Sequence, residues 1–332
     1  MEDDHVVKIQ LLDDAREAVE PVLRRRVGLL PPTLRERAVH HFGWDVPGSG
    51  TGKAVRPALV LATARALGAD EHRALTVAAA VELVHNFTLI HDDVHDQDAE
   101  RHGRPALWTV CGTSEALLVG NALLAAGIQT LSGHKGAGLL AGCAVDLCEG
   151  QSLDIEFESR ADVSLEDCLR MSVGKTGVLI GTACSLTALN AGADTAAFRA
   201  FHDFGTELGI AFQFANDLLG IWGDERATGK PTGSDLARLK KTLPVIRALR
   251  SGTEAGTRLA ELYARGVELD PAQTREAAEL VARTGAREWA EAEIHRRVDL
   301  ALTSVQPYET PELTTLAKLA FAYYRSLNSA DS

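Results

Sequence analysis

The sequence lacks several features that would assign it to other classes of protein. It has no basic tract and carries a formal net charge of −12, which argues against a nucleic-acid-binding protein. The five cysteines are odd in number and lack zinc-ligand spacing, so we expect reduced core residues. Neither a signal peptide nor an apolar run of membrane length is recognisable. We therefore expect a cytoplasmic protein with no nucleic-acid partner and no stable membrane insertion.

Signals for β-strands are missing as well. No convincing run of alternating β-branched residues occurs, and no proline interrupts the chain between Pro105 and Pro231. Alanine, leucine and glycine dominate that region, as in tightly packed helices. The chain has 332 residues, no internal repeat and no linker long enough to divide it. The sequence thus predicts one all-α domain over residues 1–332, with mobile tails at residues 1–12 and 328–332.

Apolar periodicity and helix-breaking residues predict where the first helices lie. We expect two amphipathic helices between residues 7 and 43, followed by a glycine-rich loop at residues 47–52. A helix from Arg56 to Gly68 and another over residues 73–96 come next. Three more helices fit between residues 234 and 300.

An acidic cluster follows the predicted helix over residues 73–96. Before Asp92 the sequence is mostly apolar, and from there carboxylates, histidines and arginines crowd together. Asp92 and Asp96 are four residues apart, so on a helix both project from one face. A divalent cation would relieve their mutual repulsion, and oxygen ligands without thiolates favour Mg²⁺ shared with a phosphate-bearing substrate. The alternative is a solvated acidic helix end.

A second polar cluster ends another apolar segment, LGIAFQF. Gln213, Asn216 and Asp217 are spaced so that all three can face one cavity. Charged residues follow on a glycine-bearing segment: Lys230, Asp235, Lys240 and Lys241. Lysine beside carboxylates suits a metal-bound phosphate, although a surface loop would look similar.

A basic group near the start of the chain could bind a second anion. Lys53 and Arg56 lie one turn apart, and His85 on the neighbouring predicted helix offers a third donor. The alternatives are a solvated helix start for the two cations and a core position for the histidine.

Together these motifs resemble those of the trans-prenyl diphosphate synthases. LIHDDVHDQDAERHGRP resembles the first aspartate-rich motif, D-D-x-x-D followed by R-R-G-x-P, and IAFQFANDLLG resembles the second, F-Q-x-x-D-D-x-x-D. Shorter matches stand in the expected order: TGKAVRP, EGQSLD, GKTG and GKPTGSDLARLKKTLP. The resemblance implies an isoprenoid synthase fold, a homodimer, and Mg²⁺-dependent condensation of isopentenyl diphosphate with an allylic diphosphate.

The resemblance also implies roles for individual residues. Metal ligands for about three Mg²⁺ ions would be Asp92, Asp96, Asn216, Asp217 and Asp235, with Asp93 in support. The residues implied to bind the allylic diphosphate are Arg101, Lys175, Thr176, Gln213, Lys230 and Lys241. Isopentenyl diphosphate would be bound by Lys53, Arg56 and His85, with His102 in the same site. The segment with Glu149, Gln151 and Asp154 would line the cavity.

Product length is expected to depend on the helix before Asp92, along which the growing tail should run. Phe87 lies five residues upstream and would cross that tunnel, while Thr88 leaves more room than a second aromatic ring. This pattern resembles enzymes that make geranylgeranyl diphosphate, with farnesyl diphosphate as the close alternative. Phe87 could instead be an ordinary core residue.

Several residues depart from the family pattern. Asn216 and Gly220 replace two aspartates of the second motif, His102 replaces an arginine, and Trp108 stands where many members have histidine. A catalytically impaired partner or cargo subunit is therefore one alternative. A terpene cyclase of the same fold is another, although only 5% of the residues are aromatic, and a cyclase cavity needs aromatic faces.

Overall fold

The computed structural model describes residues 2–46, 52–225, 231–319, 322 and 324, without the side chains of residues 2–9. Across this part of the chain, the secondary structure is helical except for one short antiparallel ribbon. Its strands are β1 (Glu100–Arg101) and β2 (Arg104–Pro105), with Arg101 opposite Arg104. The predicted all-α class is confirmed.

The helices follow one another with short connections. In order they are α1 (Glu2–Gly28), α2 (Pro32–His41), α3 (Val55–Ala66), α4 (Glu71–His95), α5 (Leu107–Cys111), α6 (Thr113–Thr130), α7 (Ala137–Ser159), α8 (Leu165–Ser172), α9 (Val178–Ala191), α10 (Thr195–Trp222), α11 (Ser234–Ala237), α12 (Leu243–Leu249), α13 (Glu254–Tyr263), α14 (Pro271–Arg283), α15 (Ala286–Ser304) and α16 (Pro311–Ala317). A π-helical turn, Val173–Gly177, joins α8 to α9, and a 3-10 turn, Gln306–Tyr308, precedes α16.

The chain divides into two compact units. The first comprises residues 1–147, 179–205 and 304–316, and the second comprises residues 148–178, 206–303 and 317–332. The single domain expected over the whole chain stays a prediction.

Local sequence signals account for several helix ends. Asp70 caps α4 by accepting a hydrogen bond from the backbone N–H of Arg73. Ser164 and Asp167 form a reciprocal capping box at the start of α8. Pro32 is the first residue of α2, where a missing backbone N–H costs nothing. The predicted glycine-rich loop at 47–52 lies outside the described residues except for Gly52.

The core of the first unit is built on α4, which packs along α3 and α6. Alanines and valines of α4 are buried, and Gly127 of α6 lets the two helices approach closely. A Cβ atom at Gly127 would lie 2.9 Å from both the carbonyl oxygen of Ala80 and Cγ2 of Val84. Small side chains therefore bring α6 tightly against the helix that ends in the acidic cluster.

Two stretches are apolar and long enough to cross a membrane by composition alone. They are Glu71–His95 and Leu165–Ala191, and 61% and 67% of their apolar windows are buried inside the protein. The expectation that no apolar run reaches this length is therefore wrong as stated. Their burial identifies both as core helices.

Candidate active site

The first acidic cluster lies at the C-terminal end of α4. Asp96 is the C-cap residue, and its backbone N–H donates to the carbonyl oxygen of Asp92 at 2.8 Å. Both side chains are partly exposed, that of Asp92 to 23%. A helix C-terminus carries partial negative charge, which disfavours carboxylates and favours a cation. Two carboxylates one turn apart at this end therefore fit Mg²⁺.

Asp93, between them in sequence, points into the protein and pairs with Arg101. Its side chain is only 1% exposed, and Oδ1 accepts hydrogen bonds from Nε of Arg101 at 2.9 Å and from Nη2. Burial raises the pKa of Asp93, while the Arg101 guanidinium opposes that shift. Nη2 of Arg101 also lies 3.9 Å from Oδ2 of Asp92. Asp93 thus anchors Arg101 beside the partly exposed carboxylate of Asp92.

The short ribbon returns Arg101 to α4. Between its strands, His102 and Gly103 adopt positive φ angles of 55° and 71°. Such a turn is easy for glycine and strained for histidine. Trp108 donates its indole N–H to the carbonyl oxygen of Asp98 at 2.7 Å. This bond ties the segment after the ribbon to the acidic cluster.

Non-glycine residues with positive φ mark the predicted site segments. Among the described residues they are Ala54, Gln97, His102 and Leu239. Ala54 follows Lys53, Gln97 follows Asp96, and Leu239 precedes Lys240. Strained backbone of this kind concentrates at functional sites.

Burial and neighbouring positive charges lower the pKa values of the basic residues predicted to bind a second anion. Burial lowers the pKa of His85 well below its usual range, and Arg56 and Arg101 lower it further. Burial, then Arg101 and Lys53, lower the pKa of His102. Burial also lowers the pKa of Lys53 to about 8, although its side chain keeps contact with solvent. A dianion would relieve the mutual repulsion of these groups.

Sequence reasoning missed the polar residues that support this group. The carboxylate of Glu82 attracts Arg56, and Asn86 donates to the carbonyl oxygen of Glu82 at 2.8 Å. The ring of His41 lies 3.0 Å from Oδ1 of Asn86. Glu82 and Asn86 lie three residues and one residue from His85 on α4, and this spacing was the signal available in the sequence.

In the second unit, a chain of hydrogen bonds joins three elements. Thr176 in the π-helical turn donates to Oε1 of Gln213 at 2.8 Å, and Gln213 donates to Oδ1 of Asp217 at 2.7 Å. The backbone N–H of Leu243 donates to Oδ2 of Asp217 at 2.9 Å. Asp217 therefore connects α10 to the start of α12. Asn216, expected to share a cavity with these residues, is exposed.

Burial dominates the electrostatics of Asp217. Burial raises the pKa of Asp217 to about 7, opposed by its two hydrogen bonds and reinforced by the charges of Asp235 and Asp154. Lys175 binds Asp154 through a 2.6 Å ion pair. The charges of the predicted residues in this unit are thus partly neutralised, by the ion pair of Lys175 with Asp154 and by the raised pKa of Asp217.

Comparison with known proteins assigns the chain to a family. The family model of polyprenyl synthetase matches residues 47–281. The chain belongs to the polyprenyl synthetase family. It is a trans-prenyltransferase, in agreement with the resemblance of its motifs.

Two relatives from Mycobacterium tuberculosis match almost the whole enzyme. A geranylgeranyl diphosphate synthase is 42% identical over 322 residues, which cover 93% of this chain and 92% of the relative. A (2E,6E)-farnesyl diphosphate synthase is 40% identical over 330 residues, with 95% and 92% covered. This prenyltransferase is therefore a short-chain trans-prenyl diphosphate synthase.

Solved structures share its fold. A polyprenyl synthetase from Streptomyces coelicolor A3(2) superposes with a TM-score of 0.86 at 39% identity, covering 94% of this chain and 98% of that one. A geranylgeranyl pyrophosphate synthase from Corynebacterium glutamicum, complexed with isoprenyl diphosphate and magnesium, has a TM-score of 0.81 at 26% identity, covering 93% and 98%.

No three histidine, cysteine, aspartate or glutamate side chains converge into a cage within residues 10–46, 52–225 and 231–319. Mg²⁺ needs no such cage, because it retains waters and shares phosphate oxygens with its substrate. The paired carboxylates of Asp92 and Asp96 fit that mode of binding.

One departure of this synthase from the family pattern has a structural explanation. A Cβ atom at Gly220 would lie 2.0 Å from Oδ2 of Asp235. The carboxylate of Asp235 therefore occupies the space that a side chain at position 220 would need. A carboxylate is present beside this turn of α10, but it comes from α11.

The lysines expected to bind diphosphate are placed differently from one another. Nζ of Lys241 donates to the carbonyl oxygens of Phe157 and Glu158 at 2.6 and 3.0 Å, at the end of α7. Positive charge there complements the helix C-terminus. Lys175 lies on the π-helical turn, whereas Lys230 falls outside the described residues.

Gly150 lets α7 pack closely against the π-helical turn that carries Lys175 and Thr176. A Cβ atom at Gly150 of α7 would lie 2.4 Å from the backbone of Gly174 and Lys175. Turns of this type are frequent at functional sites. The motifs EGQSLD and GKTG are recognisable in the sequence. Their spacing does not indicate that Gly150 of the first packs against the turn formed by the second.

Proposed function

We propose that this synthase condenses isopentenyl diphosphate with an allylic diphosphate to make geranylgeranyl diphosphate, using Mg²⁺. The observation that carries the proposal is the pair of partly exposed carboxylates, Asp92 and Asp96, at the negative end of α4, with Arg101 anchored beside Asp92. In a polyprenyl synthetase, this arrangement suits a metal-bound diphosphate.

The metal ligands of the proposal are Asp92, Asp96, Asn216, Asp217 and Asp235. About three Mg²⁺ ions, when bound, would neutralise the charge that develops on diphosphate as the carbon–oxygen bond breaks. Asp93 holds Arg101 in place, and Arg101 adds a permanent positive charge. The amide of Asn216 carries no charge, so its contribution is weaker than that of an aspartate.

The remaining residues orient the two substrates. Lys175, Thr176, Gln213, Lys230 and Lys241 serve the allylic diphosphate. Lys53, Arg56 and His85, with His102 close by, bind isopentenyl diphosphate and hold its double bond near the allylic carbon. The apolar core around α4 excludes water, which would otherwise trap the allylic cation. The leaving diphosphate accepts the final proton.

Phe87 and Thr88 carry the proposal for product length. The Phe87 ring is buried, at 5% exposure, and Thr88 donates its hydroxyl to the carbonyl oxygen of His85 at 2.7 Å. A buried ring on α4, five residues before Asp92, would block further growth of the tail at the length of geranylgeranyl diphosphate, because a close-packed core leaves no spare volume beyond it. Farnesyl diphosphate is the second candidate, because the farnesyl diphosphate synthase relative is almost equally similar.

We further propose a cytoplasmic homodimer, as the family resemblance implies. Analytical ultracentrifugation of the purified protein tests the dimer. A sedimentation coefficient matching one chain at micromolar concentration contradicts it.

The first experiment is incubation of the purified protein with Mg²⁺, isopentenyl diphosphate and each allylic diphosphate, followed by mass analysis. We expect a twenty-carbon diphosphate, and longer products from Phe87→Ala because removing the ring opens the path of the tail. A fifteen-carbon main product contradicts geranylgeranyl diphosphate. A hydrocarbon product indicates a cyclase, and folded protein without any product indicates an impaired partner subunit.

A further inference from the structure

The ring of Phe87 does not stand alone on α4. His91 lies one turn further along the helix, and the two ring centroids are 4.6 Å apart at an interplanar angle of 65°. This edge-on contact is the favourable geometry for aromatic rings. Rotation of the Phe87 side chain toward His91 is therefore blocked as long as the imidazole stays where it is.

Helix α6 holds the imidazole in that position. Nε2 of His91 lies 3.3 Å from the carbonyl oxygen of Leu117, within hydrogen-bonding distance. A Cβ atom at Gly120 would lie 2.5 Å from both Cδ2 and Nε2 of His91, which is closer than van der Waals contact. The imidazole thus occupies a notch that exists only because residue 120 has no side chain.

The Phe87 ring touches the rim of the same notch. A Cβ atom at Gly120 would lie 3.6 Å from Cδ2 of Phe87, which is ordinary contact. The buried phenyl ring is consequently bordered by the imidazole on its own helix and by the notch at Gly120 of α6. Close packing of this kind restricts a side chain to one rotamer.

We propose that His91, seated in the notch at Gly120, fixes the rotamer of Phe87 and so sets the length of the product. His91 and Gly120 are then positioning residues for chain-length specificity, acting through Phe87 without themselves meeting the growing tail. The inference rests on the proposed function, because it assumes that Phe87 limits elongation.

The test compares product distributions for wild type, Phe87→Ala, His91→Ala and Gly120→Ala. Each protein receives Mg²⁺, isopentenyl diphosphate and farnesyl diphosphate, and mass analysis measures the ratio of products longer than the wild-type main product to that product. Loss of an edge-on aromatic contact predicts an increase in this ratio of about threefold to tenfold for His91→Ala. Gly120→Ala should act in the same direction, because the methyl group expels the imidazole.

A double variant distinguishes this cause from general disturbance. The clash at residue 120 exists only while the imidazole is present, so Gly120→Ala/His91→Ala should give the same ratio as His91→Ala alone. Gly127→Ala is the matched control, because it crowds α4 two turns away, where the atoms nearest its Cβ belong to Ala80, Leu83 and Val84. We expect it to lower stability and leave the product ratio unchanged.

His91→Phe tests whether packing of a ring against Phe87 is sufficient, or whether the polar contact with the carbonyl oxygen of Leu117 is also needed. This variant keeps a ring in the notch and should retain the wild-type product ratio. Because it leaves Gly120 unchanged, the inference can still be tested if Gly120→Ala does not fold. Lengthening by Phe87→Ala but not by His91→Ala would overturn the inference and leave the proposed function standing. Wild-type protein that elongates no substrate would instead refute the proposed function itself.

Discussion

The two aspartate-rich segments end apolar helices in the same way in the sequence, yet their carboxylates lie in different environments. At the end of α4, Asp92 and Asp96 are partly exposed, and the one buried carboxylate, Asp93, is paired with Arg101. At the corresponding part of α10, the exposed residue is the amide Asn216, and the carboxylate of Asp217 is buried. The buried carboxylate of the first segment has a charged partner, Arg101, whereas that of the second accepts hydrogen bonds from an amide side chain and a backbone N–H.

The difference has a chemical consequence. A carboxylate at the surface remains charged and available to a cation, whereas a buried carboxylate with two hydrogen bonds organises its surroundings. We therefore expect the first segment to carry most of the metal binding. The second would add weaker metal ligands in Asn216 and Asp217, together with the carboxylate of Asp235.

The largest effect should come from removing charge at the end of α4. Asp92→Asn should lower kcat by about a thousandfold, a loss typical of removing one group that stabilises transition-state charge. Steady-state kinetics at several Mg²⁺ concentrations measures this effect, and Glu100→Gln, an exposed carboxylate on the nearby ribbon, is the control. Equal losses in both variants would show that only overall charge matters.

A smaller effect is expected from Gly220→Ala in the second unit. The added methyl group would displace the carboxylate of Asp235, and misplacement by about 1 Å can cost up to about a hundredfold in rate. Thermal stability should hardly fall, because a short side chain can move aside and alanine favours the helix. Kinetics and thermal unfolding together check this prediction.

Gly138→Ala on α7 is the matched control, because a Cβ atom there meets nothing within 4 Å. It should retain full activity. If Gly220→Ala is as active as this control, the position of Asp235 does not matter for the reaction.

The last effect concerns stability instead of rate, and it arises from the burial of Asp217. Burial raises its pKa from the usual 3.8 to about 7, so between these values the folded state binds more protons than the unfolded state. The stabilising contribution is full below the lower value and is lost as pH rises through about 7, at about 1.4 kcal/mol for each pKa unit. Urea unfolding of magnesium-free protein across this range measures the slope.

Asp217→Asn should flatten that slope, because the amide does not titrate. Its stability relative to wild type should rise with pH. A variant whose free energy of unfolding parallels wild type from pH 4 to 7 would assign the slope to other groups.

The sequence was sufficient for the class of fold and for the main motifs. The helix predicted over residues 73–96 is observed as Glu71–His95, because apolar periodicity and the cap at Asp70 are local signals. Asp92 and Asp96 lie one turn apart as the spacing requires. Side chains on one helix were predictable because their geometry depends on that helix alone.

Contacts between distant segments were not predictable in this way. Nothing in the spacing of Gly220 and Asp235 indicates that the carboxylate of one occupies the side-chain space of the other. The sequence likewise did not indicate that Lys241 donates to the end of α7, or that Asn216 is exposed while Asp217 is buried. Each depends on how α7, α10 and the segments after α10 pack.

The sequence by itself determined that the chain is helical and that its helices end in clusters suited to metal-bound diphosphate. Helix formation and the spacing of residues within one helix follow from local interactions. Only the tertiary structure decided which carboxylates are exposed, which are paired and which are buried. Those properties depend on neighbours far away in the chain, and they set the charge that each residue carries.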